Sequence, residues 1–287
     1  MKWVGMAAVF AAACLAAAGC SRRSEDAGGQ GRYITVKGSD TMIQLVSAWA
    51  EAFMKVNPGI EVSTTGGGSG TGIAALINGT TDIAAASREI KDDEMKFAAE
   101  KAVHPVETTV ARDGIAVIVN PQNPVNGLTI EQIRKIYVGQ TTNWRQVGGP
   151  DEPITVLSRE SSSGTYVFFQ DHVLGRQDYS PKVRLMPATA TIVQSVEDDR
   201  WAIGYVGLGY AVEAGGRVKP LEVKANESAP AVTPSEATVR SGEYPIARPL
   251  YVYTNGQPTG AVKQFVDFAT GSEGQRIVRE TGYVPLQ

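Results

Sequence analysis

Residues 33–86 read YITVKGSDTMIQLVSAWAEAFMKVNPGIEVSTTGGGSGTGIAALINGTTDIAAA, and this stretch decides the fold. Tyr33-Ile34-Thr35-Val36 is strand-like. Beyond Gly38-Ser39-Asp40, apolar side chains recur at Met42, Leu45, Val46, Trp49 and Phe53, the spacing of one helix face. Asn57-Pro58-Gly59 stops that helix. Ile60-Glu61-Val62 is the next strand. After the glycine loop Gly66–Gly72, Ile73, Leu76 and Ile77 mark a second helix, ended by Asn78-Gly79. Asp82–Ala86 is a third short strand. The order strand, helix, strand, helix, strand predicts an α/β sheet with right-handed crossovers.

The alternation continues outward. Gly114–Asn120 is an apolar run read as a buried strand. Thr129-Ile130-Glu131-Gln132 is a capping box opening a helix through Ile133, Ile136 and Tyr137. Ile154–Leu157 is a strand, and Phe168, Phe169 and Val173 form a helix face after it. Ala202–Tyr210 reads as a buried strand with tight turns, Pro249–Tyr253 as a strand, and Val262–Val278 as one closing amphipathic helix. A body of about 255 residues suggests two lobes. A sheet interrupted near residue 115 and resumed near residue 250 predicts that one lobe is inserted in the other, with 33–116 plus 250–287 as the first and 117–249 as the second. A cleft between lobes is a favoured place for a ligand.

The N-terminus is a targeting segment. Lys2 precedes an alanine-rich apolar run, Val4–Ala18, shorter than the roughly 20 residues a membrane span needs. Small residues then lead to Cys20, which resembles a bacterial lipoprotein signal: residues 1–19 are removed and Cys20 carries the lipid. Ordinary signal cleavage near Ala18 is the alternative. Residues 20–32 read as a polar, flexible tether. Both cysteines, Cys14 and Cys20, lie in this region, so the folded body has no disulfide and no thiol chemistry. Loss of Lys2 takes the formal charge from −3 to about −4. An acidic body of this kind argues against non-specific nucleic-acid binding, which needs a basic face. It also gives no long-range pull on an anion, so an anion site must work through local hydrogen bonds.

Four stretches carry the candidate chemistry: Gly38-Ser39-Asp40-Thr41, Gly66-Gly67-Gly68-Ser69-Gly70-Thr71-Gly72, Ala86-Ser87-Arg88 and Arg159-Glu160-Ser161-Ser162-Ser163-Gly164-Thr165. Each pairs small hydroxyl residues with a turn, and each is expected to lead into a helix. Helix N-termini offer unpaired N–H groups and a partial positive charge, and so hold anions. Backbone N–H groups, hydroxyls and arginine forks supply what a tetrahedral oxyanion needs. The candidates are Ser39, Asp40, Thr41, Ser69, Ser87, Arg88, Arg159, Ser163, Gly164 and Thr165. Phosphate near neutral pH keeps a proton to donate and sulfate does not, so a buried carboxylate discriminates between them. Asp40 is the carboxylate placed for that task.

Each stretch alone also reads as an ordinary N-cap, loop or surface ion pair; their conjunction carries the reading. Gly70-x-Gly72-x-x-Ala75 is a poor dinucleotide fingerprint, and no Gly-Lys-Ser/Thr of a phosphate-binding P-loop follows. There is no Gly-x-Ser-x-Gly elbow and no zinc-ligand cluster, and His104 and His172 read as incidental. No cofactor or metal is expected.

The same stretches, with LTIEQIRKIYVGQTTNWRQVGG at 128–149, AIGYVGLGY at 202–210, SGEYPIARPLYVYTNG at 241–256 and GYVPL at 282–286, resemble the phosphate-binding proteins of bacterial phosphate ABC transporters from Tyr33 to the C-terminus. That resemblance implies a two-lobed periplasmic-binding-protein fold (type II), each lobe a mixed sheet flanked by helices, closing by hinge motion on an ion in the interlobe cleft. It implies inorganic phosphate as ligand, held by the candidates named above, and the membrane permease of a phosphate ABC transporter as partner. The expectation is a non-enzymatic monomer, lipid-anchored outside the cytoplasm on the periplasmic side or cell surface. Many members have Asp after the Ser of the third stretch, where this chain has Arg88. Either Asp40 takes that role or discrimination among oxyanions is weaker. The alternatives are a receptor for another tetrahedral oxyanion, such as sulfate or arsenate, and a secreted phosphatase-like enzyme.

Overall fold

The computed structural model describes residues 33–286. The signal segment 1–19, Cys20 and the tether 20–32 lie outside the described residues. The opening stretch folds as its periodicity predicts: β1 (Tyr33–Gly38), a 3-10 turn (Asp40–Met42), α1 (Ile43–Val56), β2 (Glu61–Thr65), α2 (Ser69–Ile77) and β3 (Ile83–Ala86). β1 lies between β2 and β3 and is parallel to both. The apolar face of α1 explains why it folds onto this sheet. Leu45, Val46, Trp49 and Phe53 are all buried against Ile34 and Val36 of β1. Burying each such side chain contributes roughly 1.5–3 kcal/mol.

Next come α3 (Asp92–Glu100), β4 (Pro105–Val119), β5 (Gly127–Thr129), α4 (Ile130–Tyr137), β6 (Thr155–Arg159), α5 (Gly164–His172), β7 (Arg184–Met186) and α6 (Thr189–Asp198). The chain closes with β8 (Ala202–Gly207), α7 (Leu208–Glu213), β9 (Lys219–Pro220), β10 (Glu222–Lys224), α8 (Glu236–Ser241), β11 (Ala247–Asn255), α9 (Gly260–Thr270) and α10 (Ser272–Glu280). The capping box at the start of α4 forms as expected: Gln132 N donates to Thr129 Oγ1 at 3.1 Å and Thr129 N to Gln132 Oε1 at 2.9 Å.

The strands run in the order β2-β1-β3-β11-β4-β8-β6-β7, and β4 is the strand that passes from one lobe to the other. Its first part pairs antiparallel with β11 as far as Gly114 opposite Ala247. From Ile115 onward it pairs with β8 instead. The apolar cores divide at the same place. One set includes Val110, Ala111, Leu250 and Val252 and packs on α1 and α9. The other begins at Ile115, ends at Ile246 apart from Val284, and centres on Tyr137, Phe169 and Tyr205. Phe169 stacks on Tyr205 at 3.9 Å between ring centroids.

Three elements differ from the sequence reading. The segment after Ser87 does not enter a helix; α3 begins at Asp92, after an extended Lys91. The reason is local, since Arg88 is held by the Glu89 carbonyl and by the Glu94 carboxylate, and that pairing keeps 89–91 stretched over the start of α3. The closing amphipathic segment is two helices, because Gly271 is extended (φ −76°, ψ 174°) and Ser272 restarts the helix. The Gly-rich run 202–210 is a strand only to Gly207, after which α7 begins.

Candidate functional site

The site forms where the C-terminal ends of β1, β2, β3 and β6 deliver their loops, as is usual for parallel α/β sheets. From the first lobe come Ser39 and Thr41 after β1, Ser69 at the start of α2, and Ser87 after β3. From the second come Arg159 at the end of β6 and Ser163-Gly164-Thr165 at the start of α5. Ser39, Thr41, Ser69, Ser87, Arg88, Arg159, Ser163 and Thr165 are all buried. Of the four expected helix starts, those at Ser69 and Gly164 open α-helices, that at Asp40 opens a 3-10 turn running into α1, and that at Ser87 is a bend.

The first-lobe hydroxyls form one group. Ser39 Oγ donates to Ser87 Oγ at 3.0 Å, Ser69 Oγ lies 3.3 Å from Ser87 Oγ, and Ser87 N donates to Ser69 Oγ at 3.0 Å. In the second lobe Ser163 Oγ caps α5 by accepting from Thr165 N at 3.2 Å and Tyr166 N at 3.4 Å. Its acceptor capacity is thereby used, and what the hydroxyl can still offer is a donor.

The two groups meet directly. Thr41 Oγ1 and Thr165 Oγ1 are 2.7 Å apart, and Gly70 N donates to the Ser162 carbonyl at 3.0 Å. At Gly164 a side chain has no room: a Cβ there would lie 2.3 Å from Ser69 Oγ and 2.7 Å from Ser87 Oγ. At Gly68 (φ +103°) a Cβ would lie 2.5 Å from the Ser162 carbonyl oxygen. Glycine at these positions lets the loops of opposite lobes approach each other.

The arginines are more occupied than their sequence positions indicate. Arg159 donates through Nη1 to Asp40 Oδ2 at 2.9 Å and to Thr189 Oγ1 at 2.7 Å, through Nη2 to the Pro187 carbonyl at 2.9 Å, and through Nε to the Met186 carbonyl at 3.2 Å. A guanidinium has five N–H donors, so one Nη2 hydrogen is left. Asp40 Oδ2 also accepts from Thr189 N, the first residue of α6, at 2.7 Å. The carboxylate therefore sits at a helix N-terminus that favours negative charge, and it bridges the lobes. Arg88 makes a two-point pair with Glu94, 2.7 Å on each arm, and its Nε is buried without a partner. Behind Arg159, Ser158 Oγ lies 2.6 Å from Tyr205 OH. Burial pushes that phenol up to about 12, so it acts as a neutral hydroxyl.

Asp113, Arg248 and Thr189 were not singled out in the sequence. Arg248 Nη2 donates to Asp113 Oδ2 at 3.0 Å and to Thr165 Oγ1 at 2.9 Å. Burial pushes the Asp113 carboxyl up and the Arg248 guanidinium down, and each is pulled back by its opposite charge. The available signal was charge beside apolar strand-like runs: Arg112-Asp113 at the start of RDGIAVIVN, and Arg248 within ARPLYVY. The histidines stand apart: His104 is exposed, and His172 Nδ1 lies 3.0 Å from the Phe168 carbonyl. Among the described residues no three His, Cys, Asp or Glu gather into a metal-binding group. The arrangement is rich in donors and includes the Asp40 carboxylate as an acceptor, a composition suited to holding a protonated oxyanion.

Comparison with known proteins gives a consistent result. Residues 24–273 match the model of the PBP superfamily domain. Protein SphX of Synechococcus elongatus is 36 % identical over 271 residues, covering 91 % of this chain and 80 % of that protein. The phosphate-binding protein PstS of Pseudomonas aeruginosa is 31 % identical over 284 residues, covering 91 % and 85 %. The crystal structure of a protein described as a phosphate ABC transporter substrate-binding protein of Clostridium perfringens, with bound phosphate, superimposes with a TM-score of 0.81 at 30 % identity, covering 89 % of this chain and all of that one.

Proposed function

The chain belongs to the PBP superfamily, within the phosphate-binding proteins of bacterial phosphate ABC transporters, and from that premise we propose that it is an extracytoplasmic receptor that binds inorganic phosphate and hands it to an ABC importer. One observation carries the reading: the hydroxyl groups of both lobes meet in one buried site, whose Arg159 holds the Asp40 carboxylate. The ligating set is Ser39, Asp40, Thr41, Ser69, Ser87, Arg88, Arg159, Ser163, Gly164 and Thr165. Each hydrogen bond to a charged group is worth roughly 1.5–3 kcal/mol. Micromolar binding needs about 8 kcal/mol, so several such bonds suffice.

The family is one of substrate-binding receptors, and this protein makes and breaks no bond. Its lobes are 33–116 with 250–287 and 117–249, a division supported by the change of strand partner at Gly114 and Ile115. Cys20 carries the lipid that holds it on the outer side of a membrane, where the permease collects the ion. No helix among the described residues is long and apolar enough to cross a membrane.

Isothermal titration with phosphate at neutral pH tests the proposal. One saturable site, unaffected by excess sulfate, is the expected result. Heat with sulfate and none with phosphate would assign the socket to a different oxyanion, and steady release of phosphate from phosphomonoesters would make the protein an enzyme.

A further inference from the structure

The buried pair Asp113–Arg248 sits where β4 changes partner. The two residues face each other in the β4–β11 ladder, next to the last pair before β4 joins β8. Asp113 is 0 % and Arg248 3 % exposed. Arg248 grips Asp113 Oδ2 through Nε at 3.3 Å and Nη2 at 3.0 Å. The rest of its fork reaches the anion site from behind. Nη1 donates to the Ser87 carbonyl at 2.8 Å and Nη2 to Thr165 Oγ1 at 2.9 Å. Asp113 Oδ1 in turn accepts from Leu208 N at 3.0 Å. One guanidinium thus holds a first-lobe motif by its backbone and a second-lobe motif by its side chain.

Stability alone does not explain this choice of residues, because a buried ion pair is seldom better than an apolar pair of similar volume. An apolar pair cannot donate to Ser87 and Thr165. We infer that Arg248, held in place by Asp113, is a positioning residue for the anion site: it fixes the Ser87 and Thr165 motifs in the register at which both face the same ion. The inference rests on the phosphate reading above. It adds a residue that ligates nothing yet sets affinity.

The test compares the wild type with Arg248→Lys and with the double variant Asp113→Leu/Arg248→Met. Lysine keeps the charge beside Asp113, but its point charge cannot replace a planar fork that spans three acceptors. The double variant removes the charge pair while keeping the strands packed. Phosphate affinity is read by titration calorimetry, phosphate-free stability by urea unfolding, and closure by the fall in radius of gyration on adding phosphate. Arg248→Lys is expected to weaken phosphate binding about tenfold, the loss of one charge-assisted hydrogen bond. The double variant is expected to unfold near the wild-type midpoint, to bind at least tenfold more weakly, and to lose compaction at phosphate levels that saturate the wild type. Wild-type affinity in either variant would overturn the inference and leave the pair as core packing. Should the double variant not fold, the lysine variant decides alone. Absence of phosphate heat from the wild type is a separate outcome, which removes the phosphate reading itself.

Discussion

Asp40–Arg159 and Asp113–Arg248 are the same two residue types in pairs of nearly equal length, 2.9 and 3.0 Å, placed in two very different regions. The first spans the cleft: Asp40 belongs to the loop after β1, Arg159 to the end of β6, and the side chains are 16 % and 2 % exposed. The second lies where β4 changes partner, the hinge of the proposed closure, on strands hydrogen-bonded to each other, with side chains 0 % and 1 % exposed. Lobe opening would part the first pair and let water reach both charges. It cannot part the second, whose partners share one ladder. The difference shows that a pair's role depends less on its chemistry than on whether its two ends can move apart. A breakable pair can report closure, whereas a permanent one can only set geometry.

The largest expected effect falls on the hinge. Asp113→Ala leaves Arg248 charged and buried without compensation, and truncating one partner of such a pair typically destabilises by about 3–5 kcal/mol. Urea unfolding of the phosphate-free protein measures this; a loss below about 1 kcal/mol would put the two pairs on the same footing. Arg159→Ala should invert the pattern. Phosphate affinity should fall at least about a hundredfold, because the variant loses its own donor and frees Asp40 from its place, while phosphate-free stability should fall less than in Asp113→Ala. If stability fell equally, the cleft pair would be as permanent as the hinge pair.

Gly164→Ala probes the cleft without touching charge. Its Cβ would overlap Ser69 Oγ at 2.3 Å across the lobes. Overpacking of this kind costs roughly 1–3 kcal/mol, here taken from closure and not from folding. Phosphate affinity should drop about thirtyfold with an unchanged unfolding midpoint in the absence of phosphate. A lowered midpoint would show that the lobes are pressed together even without ligand.

The two regions also differ in how they could be read from sequence. The cleft residues lie in short local motifs, glycine and hydroxyl clusters at strand ends, whose backbone chemistry is legible within about seven residues. That reading reached Ser39, Ser69, Ser87 and the Arg159–Thr165 stretch, and the alternation of periods gave the α/β order of 33–86. The hinge pair joins positions 135 residues apart. Nothing local marks Asp113 or Arg248 except a charge in an apolar run, and pairing of β4 with β11 is a tertiary fact. The misreading at Ser87 has a related cause. The side chains of Arg88 and Glu94 meet before α3 begins, and that pairing outweighed the hydroxyl-plus-turn pattern that suggested a helix start. The break at Gly271 was written in Gly271-Ser272, but the apolar period of 262–278 hid it.

The smallest effect is the most informative about selectivity. Asp40 Oδ2 already accepts from Arg159 and Thr189, so on the proposed reading Oδ1, which lies against Gly66, is the oxygen that would receive a proton from the ion. Asp40→Asn keeps the shape and replaces one oxygen by an amide nitrogen that donates. If the oxygen stays toward Arg159 and Thr189, the NH2 faces the ion, favours sulfate and opposes protonated phosphate. If the amide turns over, the latch to the second lobe is lost instead. The first case lowers the phosphate-to-sulfate affinity ratio about tenfold, and the second weakens both ions alike. Parallel titrations of the variant with the two ions separate these cases. A ratio equal to that of the wild type would make Asp40 a closure latch only, and place the selectivity of the socket elsewhere.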